Sequence, residues 1–162
     1  MKSVVLSGSG LFVPEHVITN EELVASFNQF VDLQNARHAD AIAAGQREPL
    51  VHSSVEFIEK ASGIKRRYVL EKEGVLDPTR MRPRFTPRPD DQLSLMAEIG
   101  TRAAQAALQA AGRSAKDVDG VLCAAANMQR AYPAMAVEIQ QALGIGGFAF
   151  DMNVACSSAT FG

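Results

Sequence analysis

What this 162-residue chain lacks sets the first limits on it. It has only two cysteines, Cys123 and Cys156. They form no disulfide framework, and that points to a reducing compartment, the cytoplasm. No apolar run approaches the roughly 20 residues that span a bilayer, and the opening Met1-Lys-Ser-Val-Val-Leu6 is too short for a signal core, so no membrane partner is expected. Charge of one sign is also missing. Sixteen Lys and Arg against eighteen Asp and Glu leave a formal charge of −2, which excludes a general nucleic-acid binder resting on many phosphate contacts. No metal site is expected, and the three histidines, His16, His38 and His52, stand in polar segments that suit surface positions. There is no internal repeat and no linker, so a single domain over 1–162 is expected.

With 47% hydrophobic residues the chain has material for a packed core. Its period alternates between strand and helix. Residues 4–9 read as a short strand closed by Gly8 and Gly10, and Thr19-Asn-Glu-Glu22 is a capping-box pattern that starts a helix near Asn20. Asp90 and Asp91 precede a stripe of Leu93, Met96, Ala97, Ala104, Ala107, Leu108 and Ala111 that ends at Gly112, and its alanines predict close helix packing. Residues 119–126 read as a buried strand. Pro133 opens a helix with Val137, Ile139 and Leu143 on its apolar face, and Gly144 closes it. The Pro-rich stretch 82–89 is a surface loop. This alternation predicts an α/β fold.

Cys156 is the candidate for chemistry. Residues 148–154 alternate as a β-strand, and the small residues 155–162 suit a tight strand-to-helix elbow. A thiol facing a helix N-terminus gains thiolate character, and the thiolate is the nucleophile. The other reading is a small buried thiol at an element boundary. Cys123, inside an apolar strand, reads as packing.

Charge is unevenly spread. Between Lys60 and Asp90 nine basic residues face four acidic ones, a local excess of five in an otherwise acidic chain. Arg80, Arg82, Arg84 and Arg88 stand in the Pro-rich loop and are candidates for docking an acidic or phosphate-bearing partner by long-range attraction, the loop itself being held loosely. The alternative is a solvated surface loop.

Four blocks in order, Ser7-Gly-Ser-Gly-Leu-Phe-Val-Pro14 with Val17-Ile-Thr-Asn-Glu-Glu-Leu23, Ala61-Ser-Gly-Ile-Lys-Arg-Arg-Tyr68, Tyr132-Pro-Ala-Met-Ala-Val-Glu-Ile-Gln-Gln-Ala-Leu-Gly-Ile145 and Ala149-Phe-Asp-Met-Asn-Val-Ala-Cys156, resemble the N-terminal half of a β-ketoacyl-acyl carrier protein synthase III. The resemblance leaves out residues near 29–51 and 73–88, which read as insertions without a motif. It implies a thiolase-like αβαβα layered fold with a mixed five-stranded sheet. It also implies an acyltransferase in which Cys156 takes an acyl group from acyl-CoA and condenses it with malonyl-acyl carrier protein, with loss of carbon dioxide. Backbone donors stabilising the oxyanion contribute about 3 kcal/mol each in comparable sites. No cofactor is bound permanently; coenzyme A and phosphopantetheine thioesters are substrates.

The resemblance further implies that Phe57 faces the adenine of coenzyme A, with Ala61 where a cationic partner is common, and that Tyr132 closes the acyl pocket of a dimer partner. Residues 148–153 would pair across the two-fold of a homodimer. The family's His and Asn come from a C-terminal half, so the chain ending at Gly162 reads as a fragment that is inactive alone. Two alternatives stand: a relative that transfers or condenses acyl groups without malonyl decarboxylation, and a non-catalytic partner half.

Overall fold

The computed structural model describes residues 3–89 and 91–162, so Met1 and Lys2 of the N-terminal reading and Asp90 of the charge and helix readings lie outside the described residues. The chain is α/β. In place of the single domain expected, it packs as two compact units, one spanning Val13–Thr86 and the other joining the residues up to Phe12 to Pro87–Gly162.

In the first unit, β1 (His16–Thr19) leads directly into α1 (Asn20–Arg37). The capping box forms as the sequence predicts: the Thr19 hydroxyl accepts the Glu22 N–H at 3.3 Å and the Glu22 carboxylate accepts the Thr19 N–H at 3.0 Å. A short α2 (Ala39–Ala43), α3 (Val55–Ser62), β2 (Arg66–Val69) and one-turn α4 (Glu73–Leu76) follow. β2 runs antiparallel to β1, with His16 opposite Val69 and Thr19 opposite Arg66. Ile18 and Val31 are buried at its core. Buried Asn20 is fully engaged, donating to the Ile64 carbonyl at 2.7 Å and accepting from Arg67 at 2.9 Å.

Residues 29–51 carry a pattern that the sequence reading missed. They form the second half of α1, then α2, then a segment that returns along α1. Asn28, Asp32 and Asn35 are spaced four and three apart, which puts them on one helix face, and each grips the returning chain. Asn28 donates to the Ser53 carbonyl at 3.1 Å and accepts its N–H at 2.9 Å. Asn35 makes the same pair of bonds to Leu50, both at 2.9 Å. Between them Asp32 meets the His52 ring at 2.7 Å. The two amides satisfy backbone groups that a strand partner would otherwise satisfy.

The second unit corrects four expectations. Residues 4–9 join no ladder; Val4 and Leu6 are fully exposed, and the segment lies against α5 (Leu95–Ala111). Its glycines and the helix alanines make this possible: a Cβ on Gly10 would stand 2.2 Å from the Ala103 carbonyl oxygen. α5 begins at Leu95, so Leu93 of the expected stripe lies outside it; Ser94 caps it, its hydroxyl accepting the Ala97 N–H at 3.2 Å, while Gly112 takes the left-handed C-cap at φ 61° as expected. β3 (Gly120–Ala124) is half-buried rather than buried, and among the described residues it pairs with one strand, β4. α6 (Met135–Leu143) begins two residues after Pro133, which precedes the Ala134 cap, and closes at Gly144 with φ 68°.

β4 (Phe148–Met152) pairs parallel to β3, with Gly120 beside Phe148 and Ala124 beside Met152, and α6 supplies the crossover that parallel strands require. Two two-stranded ladders therefore stand among the described residues, where one five-stranded sheet was implied. Ala97, Met135, Ala136 and Ile139 form the core between α5 and α6, and a Cβ on Gly100 would come within 2.5 Å of Ile139.

Replacing Asn28 with Ala strands the Ser53 backbone groups, at a cost of about 1–3 kcal/mol. Amide exchange at Ser53 is expected to speed up while exchange in β1 is unchanged, as read by hydrogen-exchange NMR or mass spectrometry.

Candidate functional site

Cys156 sits just beyond β4, in a 3-10 turn (Ala155–Ser157) that precedes α7 (Ser158–Phe161). The strand-to-helix elbow is present. The buried-thiol alternative is set aside, since Cys156 is exposed. Ala155, immediately before it, takes φ 50°, a left-handed conformation that costs a residue with a Cβ about 1 kcal/mol or more. Such strain persists only where neighbours over-determine it. Here the Asn153 side chain accepts the Ala155 N–H at 3.1 Å.

Ser158 does the rest. Buried at 2% exposure, its hydroxyl accepts the Val154 N–H at 3.0 Å and lies 2.8 Å from the Ala155 carbonyl and 3.1 Å from the Ala125 carbonyl. One side chain thus joins the residue before the turn, the turn itself and the residue after β3. Sequence reasoning passed over it. The signal was a serine two residues after the candidate nucleophile, where an apolar residue would continue the core.

Cys123 behaves as packing predicts. It is half-buried in β3 beside Asp151, and burial, with the Asp151 charge adding to it, pushes its thiol up and keeps it protonated. Asp151 itself ties β4 to α6: its two carboxylate oxygens accept the Met135 and Ala136 N–H groups, both at 2.8 Å. These are the orphan donors of a helix start, where a carboxylate is favoured.

A second buried carboxylate organises the approach to α6. Glu138, 7% exposed, accepts the Ser94 N–H at 2.8 Å and the Arg130 guanidinium at 2.6 Å. It therefore holds the cap of α5 and the loop that carries Tyr132. Tyr132 stands 89% exposed before a cis bond to Pro133. Phe57 is exposed on α3 in the other unit, its N–H bound to the Ser54 cap.

The four arginines are divided. Arg80, Arg82 and Arg84 gather in the first unit around a loop that is not loosely held. The Glu71 carboxylate accepts the Gly74 and Arg84 N–H groups at 2.8 and 2.7 Å, and those amides hold its carboxyl below the usual carboxylate range. Arg88 belongs to the other unit, where it pairs with Glu98 at 2.7 Å and donates to the Leu93 carbonyl. His16 and His52 are exposed; His38 is half-buried at the junction of α1 and α2.

The pH response of Glu138 follows from its partners. Burial opposes its ionisation, yet the Ser94 N–H and the Arg130 guanidinium together hold its carboxyl below the ordinary 4.5. A folded value below the unfolded one stabilises the fold above pH 4.5, and that contribution is lost as pH falls through the folded value. The Glu138→Gln variant is expected to lose stability at neutral pH and to show a flatter fall of melting temperature on acidification. Thermal melts between neutral and acid pH check both.

No family model matches the chain. It is 61% identical over 137 residues to a β-ketodecanoyl-[acyl-carrier-protein] synthase of Pseudomonas aeruginosa, a match that covers 85% of this chain and 39% of that protein. A β-ketoacyl-[acyl-carrier-protein] synthase III of Acidiphilium cryptum is 30% identical over 164 residues, covering the whole of this chain and 37% of the relative. Among solved structures, the 3-oxoacyl-[acyl-carrier-protein] synthase III of Aquifex aeolicus superposes with a TM-score of 0.62 at 25% identity, over 95% of this chain and 36% of that one. The chain thus spans under two fifths of the length of these relatives. Over the length it spans, it belongs to the β-ketoacyl-acyl carrier protein synthase III family of condensing enzymes.

Proposed function

We propose that the protein carrying this chain is a decarboxylating condensing enzyme that extends a medium-chain acyl thioester, with Cys156 as its nucleophile. The observation that carries this reading is an exposed cysteine at a strained strand-to-turn elbow, in a chain 61% identical over 137 residues to a β-ketodecanoyl synthase.

The Cys156 thiolate attacks the carbonyl of an acyl-CoA, and the coenzyme thiolate leaves and takes up a proton. The acyl group now rides on sulfur as a new thioester. Malonyl-acyl carrier protein loses carbon dioxide, and the enolate so formed attacks the acyl-cysteine carbonyl. The Cys156 thiolate is then expelled, and the β-ketoacyl chain stays on the carrier. A His and an Asn that stabilise the enolate are assigned to the part of the protein outside this chain, and without them the chain by itself is expected to be inactive.

The product named for the Pseudomonas relative sets the primer length. Decarboxylative condensation adds two carbons, so a β-ketodecanoyl product needs an octanoyl primer. We extend that preference to this protein. Phe57 and Tyr132, both exposed, are assigned to the coenzyme and to the acyl pocket of a dimer partner. The stacked and exposed Phe148 and Phe150 on β4 suit a homodimer contact. A free exposed thiol suits the cytoplasm. Arg80, Arg82 and Arg84 offer the cationic surface for the carrier protein and coenzyme A.

Octanoyl-CoA is expected to leave an octanoyl adduct on Cys156 alone in the full-length protein, and Cys156→Ala is expected to abolish both the adduct and condensation. Peptide mass spectrometry locates the adduct. An adduct on Cys123, turnover by the Ala variant or a clear preference for acetyl-CoA would count against the reading.

A further inference from the structure

Three guanidinium groups stand together in the first unit, and the elbow chemistry does not need them there. Arg80, Arg82 and Arg84 line an open depression of about 410 Å³ with Asp77 and Thr79. Gathering like charges costs energy, and the two carboxylates beside Arg84, Asp77 and Glu71, leave a positive surplus on the three.

The loop that gathers them is built. Glu71 holds the Gly74 and Arg84 amides, the Ser26 hydroxyl donates to the Leu76 carbonyl at 2.8 Å, and Asp77 accepts both the N–H and the hydroxyl of Thr79 at 2.9 and 2.6 Å. Closure is tight enough that a Cβ on Gly74 would stand 2.6 Å from the Arg82 carbonyl oxygen. Met81 accepts φ 53° in the same turn, a left-handed strain that the surrounding bonds sustain.

The arginines are presented in a fixed order. Arg84 is anchored on Asp77, and the Arg80 guanidinium is steadied by the Arg82 and Pro83 carbonyls at 3.1 and 3.2 Å. Arg82 is exposed; its backbone is held, the N–H donating to the Gly74 carbonyl at 3.1 Å, while its guanidinium has no ion-pair or hydrogen-bond partner among the described residues. Two pre-positioned forks and a free one, with a surplus of positive charge, suit an anionic phosphate, whose oxygens accept paired N–H donors.

We propose that Arg80, Arg82 and Arg84 form a phosphate-binding site that takes the phosphate end of the thioester substrate. The identity of that substrate rests on the proposed function; phosphate binding itself does not. A phosphate monoester of coenzyme A and the phosphodiester of the carrier's prosthetic group share the chemistry. The site replaces the loose electrostatic steering expected from the sequence with fixed contacts.

Calorimetric titration of the full-length protein with inorganic phosphate, at constant ionic strength, tests it. Arg82→Gln is expected to weaken phosphate binding roughly tenfold or more, the range of one lost charge-assisted pair. Arg82→Lys keeps the charge but loses the fork, and is expected to weaken binding as well. If Gln disturbs folding, as a thermal melt would show, the Lys variant decides. Phosphate affinity unchanged in folded variants, or no phosphate binding by the unsubstituted protein, overturns the site.

The source is read next. Tighter binding of coenzyme A than of dephospho-coenzyme A, with the difference lost in Arg82→Gln, assigns the site to the coenzyme's terminal phosphate. Equal affinity for the two, with holo-carrier protein binding weakened by Arg82→Gln, assigns it to the carrier's phosphodiester. Acylation of Cys156 is measured separately in the unsubstituted protein, so failure of the condensing reading leaves the phosphate result standing.

Discussion

The Asp151 carboxylate is the interaction on which the second unit turns. It lies in β4, beside Cys123 of β3, and caps the two N–H groups that open α6. Strand, neighbouring strand and crossover helix therefore meet at one side chain. Because only Asn153 and Val154 separate β4 from the turn, whatever fixes β4 fixes where Cys156 emerges. A charge-assisted bond to a helix start contributes about 0.5–2 kcal/mol, but its larger consequence is geometric. It sets the depth of α6 against the sheet, and so lets Glu138 on the next turn reach the cap of α5.

Polar side chains that bind backbone recur throughout both units. Ser158 at the elbow, Asn28 and Asn35 on α1, Glu71 under the arginine loop and Glu138 between helices each satisfy donors or acceptors that have no ladder to join. The reason is the shortness of the ladders. Two pairs of strands leave long connections, and a connection held against the protein must place its amides somewhere. In the arginine loop this solution also collects charge, which a loop held only by apolar contacts would not do in so exposed a place.

Much of the local structure was legible in the sequence. The Thr19–Glu22 box, the glycine stops at Gly112 and Gly144, the strand before Cys156 and the Pro-rich loop depend on residues within a few positions of one another, so short-range chemistry suffices to determine them. The same locality made Cys156 visible, because a cysteine at a strand end among small residues is a local pattern. Pairing across the chain was not legible in this way. That residues 4–9 lie on α5 instead of in a ladder depends on a close approach between glycines and a helix about a hundred residues away.

The stripe Asn28, Asp32, Asn35 has helical spacing, yet polar residues at that spacing ordinarily face water, and only the returning segment gives them partners. The arginine cluster has the same cause. Sequence determined that the loop is basic and rich in proline; tertiary structure decided that Glu71 and Asp77 draw Arg80, Arg82 and Arg84 to one depression while Arg88 pairs elsewhere. Charge is a property of residues, but its concentration at a point is a property of the fold, because only backbone held by distant partners can keep like charges together.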